Sequence, residues 1–169
     1  LKRLAQVGLR DFYEGEIAQA ITAFAKEHGA AMTASDLANY KPDWVGTIST
    51  KVQGYDVHEI PPNGQGIGAL IAIGILEQLD LAKHPVDGVE SQHLQIEAMK
   101  LAFADVYRYV ADPRSMEVSP SQMLNPDYLA QRARLIDPKK ATHFPFGMPN
   151  TGGTIYLSAA DEQGRMISF

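Results

Sequence analysis

The sequence predicts an α+β fold that is mostly helical and carries a few antiparallel strands. Apolar residues recur at intervals of three and four over 12–28, 67–79 and 90–110, as in helices that bury one face or their whole surface. Residues 44–60 alternate and are partly β-branched, which is typical of two antiparallel strands. An apolar run at 155–160, a tight turn at 161–164 and a second strand from 165 indicate another hairpin. At 169 residues the chain is long enough for one domain with its own core, and it contains no internal repeat or low-complexity tract.

The N-terminal quarter is predicted to be helical. Asp11 is placed to cap a helix over 12–28, and Gly29 follows at the position where helices commonly end. Thr33 then opens a short capped turn of helix, which must stop before Pro42 because the residue before a proline avoids helical geometry.

A hairpin and a buried helix are predicted next. The two strands within 44–60 meet at Gln53-Gly54. Three glycines then follow with the spacing G-x-G-x-G, at Gly64, Gly66 and Gly68. Because a dinucleotide-binding loop needs G-x-G-x-x-G, we interpret them as a turn that lets the helix 67–79 pack closely. That helix is apolar almost all round, so it is expected in the centre of the domain.

The longest predicted helix spans 90–110. Its expected core face is an apolar stripe formed by Ile96, Met99, Phe103, Val106 and Val110. His93 and Glu97 lie at i and i+4 and could share a metal ion. Without a third ligand or an HExxH motif, a hydrogen-bonded or solvated pair is favoured, and no metal or cofactor is implied.

The last third leads to a candidate nucleophile. Asn125-Pro126 caps a helix over 127–136, and 142–149 (THFPFGMP) is interpreted as an exposed connector because prolines and a glycine interrupt it. The connector delivers the chain to Gly153-Thr154 and a hairpin with a turn at 161–164. A strand that begins Gly-Gly-Thr can present a hydroxyl nucleophile, but an ordinary edge hairpin has the same pattern.

Composition excludes several functional classes. The 169 residues include 45% apolar and 21% charged residues, which is typical of soluble globular proteins. A net charge of −5 argues against nucleic acid as a partner. The absence of cysteine excludes disulfides, thiol nucleophiles and thiolate metal sites. No run of about 18 apolar residues is present, so no membrane-spanning segment is predicted.

Six segments, taken in order, resemble the γ-glutamyltranspeptidases, which are N-terminal-nucleophile hydrolases. They are DFYEGEIAQAI (11–21), TASDLANYKP (33–42), YDVHEIPPNGQGIGALIAIGILE (55–77), HLQIEAMKLAFADVYRYVADP (93–113), NPDYLAQRARLID (125–137) and GGTIYLSAADEQGRMISF (152–169). Each is weak alone, but the ordered set is specific and runs nearly end to end. The resemblance implies a fragment of a four-layer αββα fold, in which two sheets lie between helical layers.

The resemblance also implies a catalytic residue. In this family a precursor cuts itself before a threonine, and the matching position is Thr154, with cleavage between Gly153 and Thr154. Gly153 offers little steric obstruction to attack on its carbonyl. After cleavage, the free amine of Thr154 can act as the base for its own hydroxyl. Residues 1–153 would then be the C-terminal part of the large subunit, and 154–169 the first hairpin of the small subunit.

One departure affects the substrate. The family commonly has Thr-Thr-His where this chain has Thr154-Ile155-Tyr156, and the present sequence is closer to bacterial γ-glutamyltranspeptidase-like and cephalosporin-acylase-like members. The implied substrates are γ-glutamyl compounds such as glutathione, with amino acid, peptide or water acceptors. A cephalosporin-acylase-like amidohydrolase and a non-catalytic helical interaction domain are the alternatives.

The resemblance places most substrate-binding residues outside 1–169, in the remainder of the precursor chain, which is therefore an expected partner. We expect this fragment alone to be inactive and uncut. Five residues of the shared motifs are assigned structural roles: Tyr13, Glu14, His93, Glu97 and Asp112. The sequence does not decide the cellular compartment. Most bacterial members are periplasmic or secreted, and a cytoplasmic location is the alternative.

Overall fold

A computed structural model describes residues 1–149 and 158–168 of the chain. The chain divides into two units, Leu1–Trp44 and Val45–Phe169. The first unit contains the helices α1 (Lys2–Val7), α2 (Asp11–Glu14), α3 (Glu16–Glu27) and α4 (Ala34–Asn39). In the second unit the elements are β1 (Ile48–Val52), β2 (Tyr55–Glu59), α5 (Gly66–Leu76), a 3-10 turn (Leu81–Lys83), α6 (Val89–Tyr109), α7 (Pro120–Met123), α8 (Pro126–Ala133), β3 (Ser158–Ala160) and β4 (Met166–Ser168).

The predicted helix 12–28 is interrupted at Gly15, so that expectation was wrong. The Asp11 carboxylate folds over this point and accepts hydrogen bonds from Arg3 Nε at 2.7 Å and from the Glu16 backbone N–H at 3.2 Å. A Cβ atom at Gly15 would lie 2.0 Å from Asp11 Oδ1, in the space that the carboxylate occupies. Asp11 therefore supplies an acceptor at the start of α3 rather than capping α2.

Thr33 opens α4 as predicted. Its Oγ1 accepts the Asp36 N–H at 3.4 Å, and the Asp36 carboxylate accepts the Thr33 N–H at 2.7 Å. Two of the donors that a helix start leaves unpaired are thereby satisfied, so the short helix has a defined beginning.

The hairpin β1–β2 confirms the predicted turn. Val52 pairs with Tyr55, which leaves Gln53 and Gly54 as a two-residue loop. Both have positive φ, 49° and 84°, and this is the geometry that suits the twist of a two-residue hairpin.

Helix α5 lies at the centre of the second unit and packs against α6, β1 and α8. Ile67, Ile71 and Ile75 have no exposed surface. A Cβ at Gly68 would lie 3.2 Å from Val106 Cγ2 of α6, which agrees with the predicted close packing. α5 ends at Leu76, earlier than the predicted Leu79.

One further boundary and one further helix differ from the prediction. α8 ends at Ala133 rather than Ile136, although Asn125 caps it as expected and accepts the Asp127 and Tyr128 N–H groups at 2.9 and 3.2 Å. α7 was not predicted. Its Ser119 Oγ accepts the Gln122 N–H at 3.3 Å, and the Gln122 side chain accepts the Ser119 N–H at 2.7 Å.

The last hairpin is confirmed over the residues that the structure describes. β3 pairs antiparallel with β4, with Ala160 opposite Met166, and Gly164 has φ of 74° in the turn. The predicted start of its first strand at Ile155 lies outside the described residues. Within 1–149 and 158–168, no helix has the length and apolar character needed to cross a bilayer.

Candidate functional site

The candidate nucleophile Thr154 and the bond that joins it to Gly153 lie outside the described residues. The structure does describe residues 142–149, which end five positions before Thr154. This segment was expected to be an exposed connector, and that expectation was wrong only in part: His143, Pro145, Phe146 and Met148 are exposed, but the positions between them anchor the segment. Phe144 is 8% exposed, Pro149 is buried, and the backbone is hydrogen-bonded to side chains of α6 and α8.

Two side chains of α6 hold both polar groups of Gly147. Asp105 Oδ1 accepts the Gly147 N–H at 2.7 Å, and the Tyr109 hydroxyl donates to the Gly147 carbonyl at 2.7 Å. Asp105 and Tyr109 are at i and i+4, so they lie one turn apart on the same helix face. We call this pair the Gly147 clamp. It ties the segment directly to the long core helix.

Asp105 is itself held by two residues of α8. Arg132 Nη2 donates to Asp105 Oδ1 at 3.0 Å, and the Tyr128 hydroxyl donates to Asp105 Oδ2 at 2.7 Å. The side chains of Arg132 and Asp105 are 4% and 0% exposed. Further hydrogen bonds to Asp105, from Tyr128 and from the Gly147 N–H, offset the cost of burying its charge, whereas Arg132 Nε is buried without a hydrogen-bond partner in the described part of the chain.

The protonation of Tyr128 is set by its surroundings. Burial and the hydrogen bond to Asp105 raise the pKa of Tyr128 far above its usual range. The phenol therefore stays neutral and remains a donor to the carboxylate. Arg132 also donates to the carbonyls of Leu101 at 3.3 Å and Pro145 at 3.0 Å, and the second of these bonds joins α8 directly to the segment.

Position 147 has room only for glycine. A Cβ there would lie 2.2 Å from the Tyr128 hydroxyl oxygen and 3.0 Å from Arg132 Cδ. Gly147→Ala is expected to lower the free energy of unfolding of the full-length protein by about 1–3 kcal/mol, because both neighbours are held in the buried network. Urea-induced unfolding would measure this loss.

Gly46→Ala is the matched control, since its Cβ would meet nothing within 4 Å. An equal effect of the two substitutions would contradict a steric origin at position 147.

Glu97 provides a second anchor closer to the start of the segment. Its side chain is 1% exposed, and it accepts hydrogen bonds from Lys100 Nζ at 2.6 Å and from the Thr142 N–H at 2.9 Å. Burial alone would raise the pKa of Glu97, but these hydrogen bonds outweigh it and hold the pKa below the usual value. The carboxylate is thus kept charged while buried.

The predicted pairing of His93 with Glu97 is not observed. His93 Nε2 lies 2.8 Å from the Asp137 carbonyl oxygen, while Glu97 is bonded to Lys100 and Thr142. Within the part of the chain that the structure describes, no three acidic or histidine side chains are grouped to hold a metal ion.

Aromatic contacts reinforce the same segment. The rings of Tyr109 and Phe146 meet edge to face at 6.0 Å, and the Arg108 guanidinium lies 5.0 Å from the first ring centre and 5.5 Å from the second. Lys100 Nζ lies 5.4 Å from the centre of the Phe144 ring. Such cation–π contacts add to the hydrogen bonds.

The buried face of α6 differs from the predicted stripe. Ile96 and Met99 are 58% and 40% exposed, whereas the buried positions are Ser91, Leu94, Glu97, Ala98, Leu101, Ala102, Asp105, Val106 and Tyr109. The prediction counted only large apolar residues, so its stripe left out the buried carboxylates Glu97 and Asp105. Leu94, Ala98, Leu101, Asp105 and Tyr109 do recur at three and four, a signal that would have placed Asp105 on the buried face.

The family follows from a match over the whole chain. The family model described as gamma-glutamyltranspeptidase matches residues 1–169. The chain belongs to the γ-glutamyltranspeptidase family. The resemblance inferred from the six ordered segments is thereby confirmed.

Individual relatives agree with this assignment. The chain is 30% identical to the glutathione hydrolase-like YwrD proenzyme of Bacillus subtilis, over 100% of this chain and 32% of the relative. It is 33% identical to the glutathione hydrolase proenzyme of Escherichia coli, over 99% of this chain and 30% of the relative. The chain thus spans about a third of the length of these γ-glutamyltranspeptidase-family relatives.

A solved structure shows the same fold. The crystal structure of cephalosporin acylase from Bacillus halodurans matches with a TM-score of 0.73 and 43% identity, over 99% of this chain and 30% of that chain. The mostly helical arrangement with small antiparallel sheets is therefore a fragment of the N-terminal-nucleophile hydrolase fold of the γ-glutamyltranspeptidase family, as predicted.

Proposed function

We propose that the full-length protein transfers or hydrolyses γ-glutamyl groups through an ester on Thr154, after cutting its own chain between Gly153 and Thr154. The observation that carries this proposal is the family match over residues 1–169, which includes the Gly-Gly-Thr sequence before the last hairpin. The names of the Bacillus subtilis and Escherichia coli relatives describe them as proenzymes, which supports a processed precursor.

Self-cleavage follows from the chemistry of threonine next to glycine. The Thr154 hydroxyl oxygen attacks the Gly153 carbonyl carbon, the C–N bond breaks as the C–O bond forms, and the hydroxyl proton ends on the released amine. Water then hydrolyses this ester, which leaves a carboxylate on Gly153 and a free hydroxyl on Thr154. No group beyond a water molecule is consumed.

The same hydroxyl would then act on substrate. The free α-amine of Thr154 accepts the hydroxyl proton as the oxygen attacks the γ-glutamyl carbonyl, and this proton passes to the departing amine. Water or an acceptor amine then breaks the ester and regenerates Thr154. Glutathione-type donors fit this scheme, because one relative is named a glutathione hydrolase and another glutathione hydrolase-like.

The proposed cleavage divides the precursor into a large and a small chain. Residues 1–153 form the C-terminal part of the large chain, and 154–169 begin the small chain. The remaining parts of the precursor supply the donor-binding residues and the oxyanion hole, so residues 1–169 alone are expected to stay uncut and inactive. A free Thr154 amine in a sample of residues 1–169 would contradict this.

A cephalosporin-acylase-type activity is the second candidate, since the chain is 43% identical to the Bacillus halodurans acylase and 33% identical to the Escherichia coli glutathione hydrolase. The proposed function predicts that the processed full-length protein cleaves γ-glutamyl-p-nitroanilide at least about 10-fold faster than a glutaryl-type β-lactam, a ratio that about 1.4 kcal/mol of transition-state binding would produce. Side-by-side initial rates, with Thr154→Ala as the blank, measure it. The opposite ratio would favour the acylase, and no activity on either amide would count against both.

A further inference from the structure

We propose that Asp105 and Tyr109, the Gly147 clamp, are positioning residues for self-cleavage. They hold the backbone at a fixed point from which the chain runs to the Gly153–Thr154 bond. This inference rests on the proposed cleavage before Thr154 and assigns to it two residues of the large chain that lie far from the nucleophile in sequence.

The clamp holds both backbone polar groups of a single residue. Asp105 accepts the N–H and Tyr109 donates to the C=O of Gly147, both at 2.7 Å. Holding both groups of one residue fixes the direction of the chain as well as its position. Asp105 cannot swing away, because Arg132 and Tyr128 bind it at 3.0 and 2.7 Å and its side chain is 0% exposed.

The clamp holds the chain shortly before the Gly153–Thr154 bond. Six positions separate Gly147 from Gly153, and an extended chain spans at most about 3.5 Å per residue. A shift of Gly147 therefore changes the range of positions open to the residue six places further along the chain. Among the described residues, Gly147 carries the last backbone hydrogen bond to a buried side chain before that bond.

The rate at which a hydroxyl attacks a neighbouring carbonyl depends strongly on how the two groups are positioned. A displacement of about 1 Å can lower the rate of a positioned reaction about 100-fold. The Glu97 anchor holds Thr142, which is eleven positions before Gly153, so releasing it leaves the clamp intact. Loss of the clamp is therefore expected to slow cleavage more than loss of the Glu97 anchor does.

The test compares cleavage rates in the full-length precursor, made by cell-free synthesis and followed by intact mass over time. Asp105→Asn removes the charge of one buried carboxylate of α6, and Glu97→Gln is the matched change at the other. We expect Asp105→Asn to slow cleavage at least about 10-fold and Glu97→Gln less than about 3-fold. Equal slowing by the two would overturn the proposal.

A second pair of variants, with smaller changes, provides the test if Asp105→Asn does not fold. Tyr109→Phe removes only the hydroxyl that donates to Gly147, and Tyr107→Phe makes the same change at a residue of α6 that is 78% exposed. Slower cleavage in Tyr109→Phe alone supports the clamp. A wild-type rate in Tyr109→Phe overturns it.

The rate of substrate turnover distinguishes a role in positioning the chain for cleavage from a general structural role of Tyr109. Once the chain is cut, Gly153 is no longer covalently linked to Thr154, so fully cleaved Tyr109→Phe should turn over γ-glutamyl-p-nitroanilide at the wild-type rate. Equal losses in cleavage and turnover would overturn the proposal. If the wild type folds but stays whole, the proposed self-cleavage is refuted. If the wild type is cut and the clamp variants are cut at the same rate, only the role of the clamp is refuted.

Discussion

Thr154→Ala in the full-length precursor is expected to leave a single uncut chain, while the wild type separates into two chains between Gly153 and Thr154. Alanine has no hydroxyl to attack the Gly153 carbonyl, and it cannot carry an acyl ester afterwards. Both self-cleavage and γ-glutamyl transfer should therefore fall by at least about 1,000-fold. Intact mass measures the first loss, and release of p-nitroaniline measures the second.

Thr151→Ala is the matched control, because it makes the same substitution three positions earlier in the same sequence. We expect it to cleave and turn over like the wild type. If both variants and the wild type stay whole while folded, self-processing is refuted. If Thr154→Ala is cut at the wild-type rate, another nucleophile performs the reaction.

The second large effect is expected at Arg132. Arg132→Met should lower the free energy of unfolding by about 3–5 kcal/mol, because it leaves the Asp105 carboxylate buried without its cationic partner. The Pro145 carbonyl would also lose its donor, so the segment before Thr154 would be freed at a second point. Urea-induced unfolding in the uncut Thr154→Ala background compares the variants in one covalent form.

Arg134→Met is the control for this substitution, since Arg134 directly follows α8 and is exposed. Its effect should stay within about 0.5 kcal/mol of zero. Arg132→Lys tests the geometry of the pair, because an ammonium group cannot reproduce the planar guanidinium and should recover only part of the stability. Equal losses at 132 and 134 would show that the buried pair with Asp105 has no special role.

Local chemistry explains why several elements could be predicted. Thr33 and Asn125 cap helices through bonds to residues two or three positions away, and Gln53-Gly54 forms a turn that depends on its own two φ angles. The all-apolar sequence of α5 leaves it no stable position except the interior. Each of these predictions depends on a few neighbouring residues, so it did not require knowledge of the rest of the fold.

The candidate site was only half predictable. Thr154 was proposed from the ordered motifs, and it remains a prediction because it lies outside the described residues. The anchor of 142–149 was missed, since a proline-interrupted segment without periodicity looks like an exposed loop. The carboxylates of Glu97 and Asp105 likewise look like surface residues until the groups that neutralise them are known.

The sequence by itself determined the order of the longer helices and of the two hairpins, several caps and turns, and membership of the γ-glutamyltranspeptidase family. Only the tertiary structure decided that Asp105 is buried against Arg132, with Gly147 held between Asp105 and Tyr109. The physical reason is the range of the interactions. Caps and turns join residues a few positions apart, whereas burying a charge requires partners 27 and 42 positions away, which only the folded chain brings together.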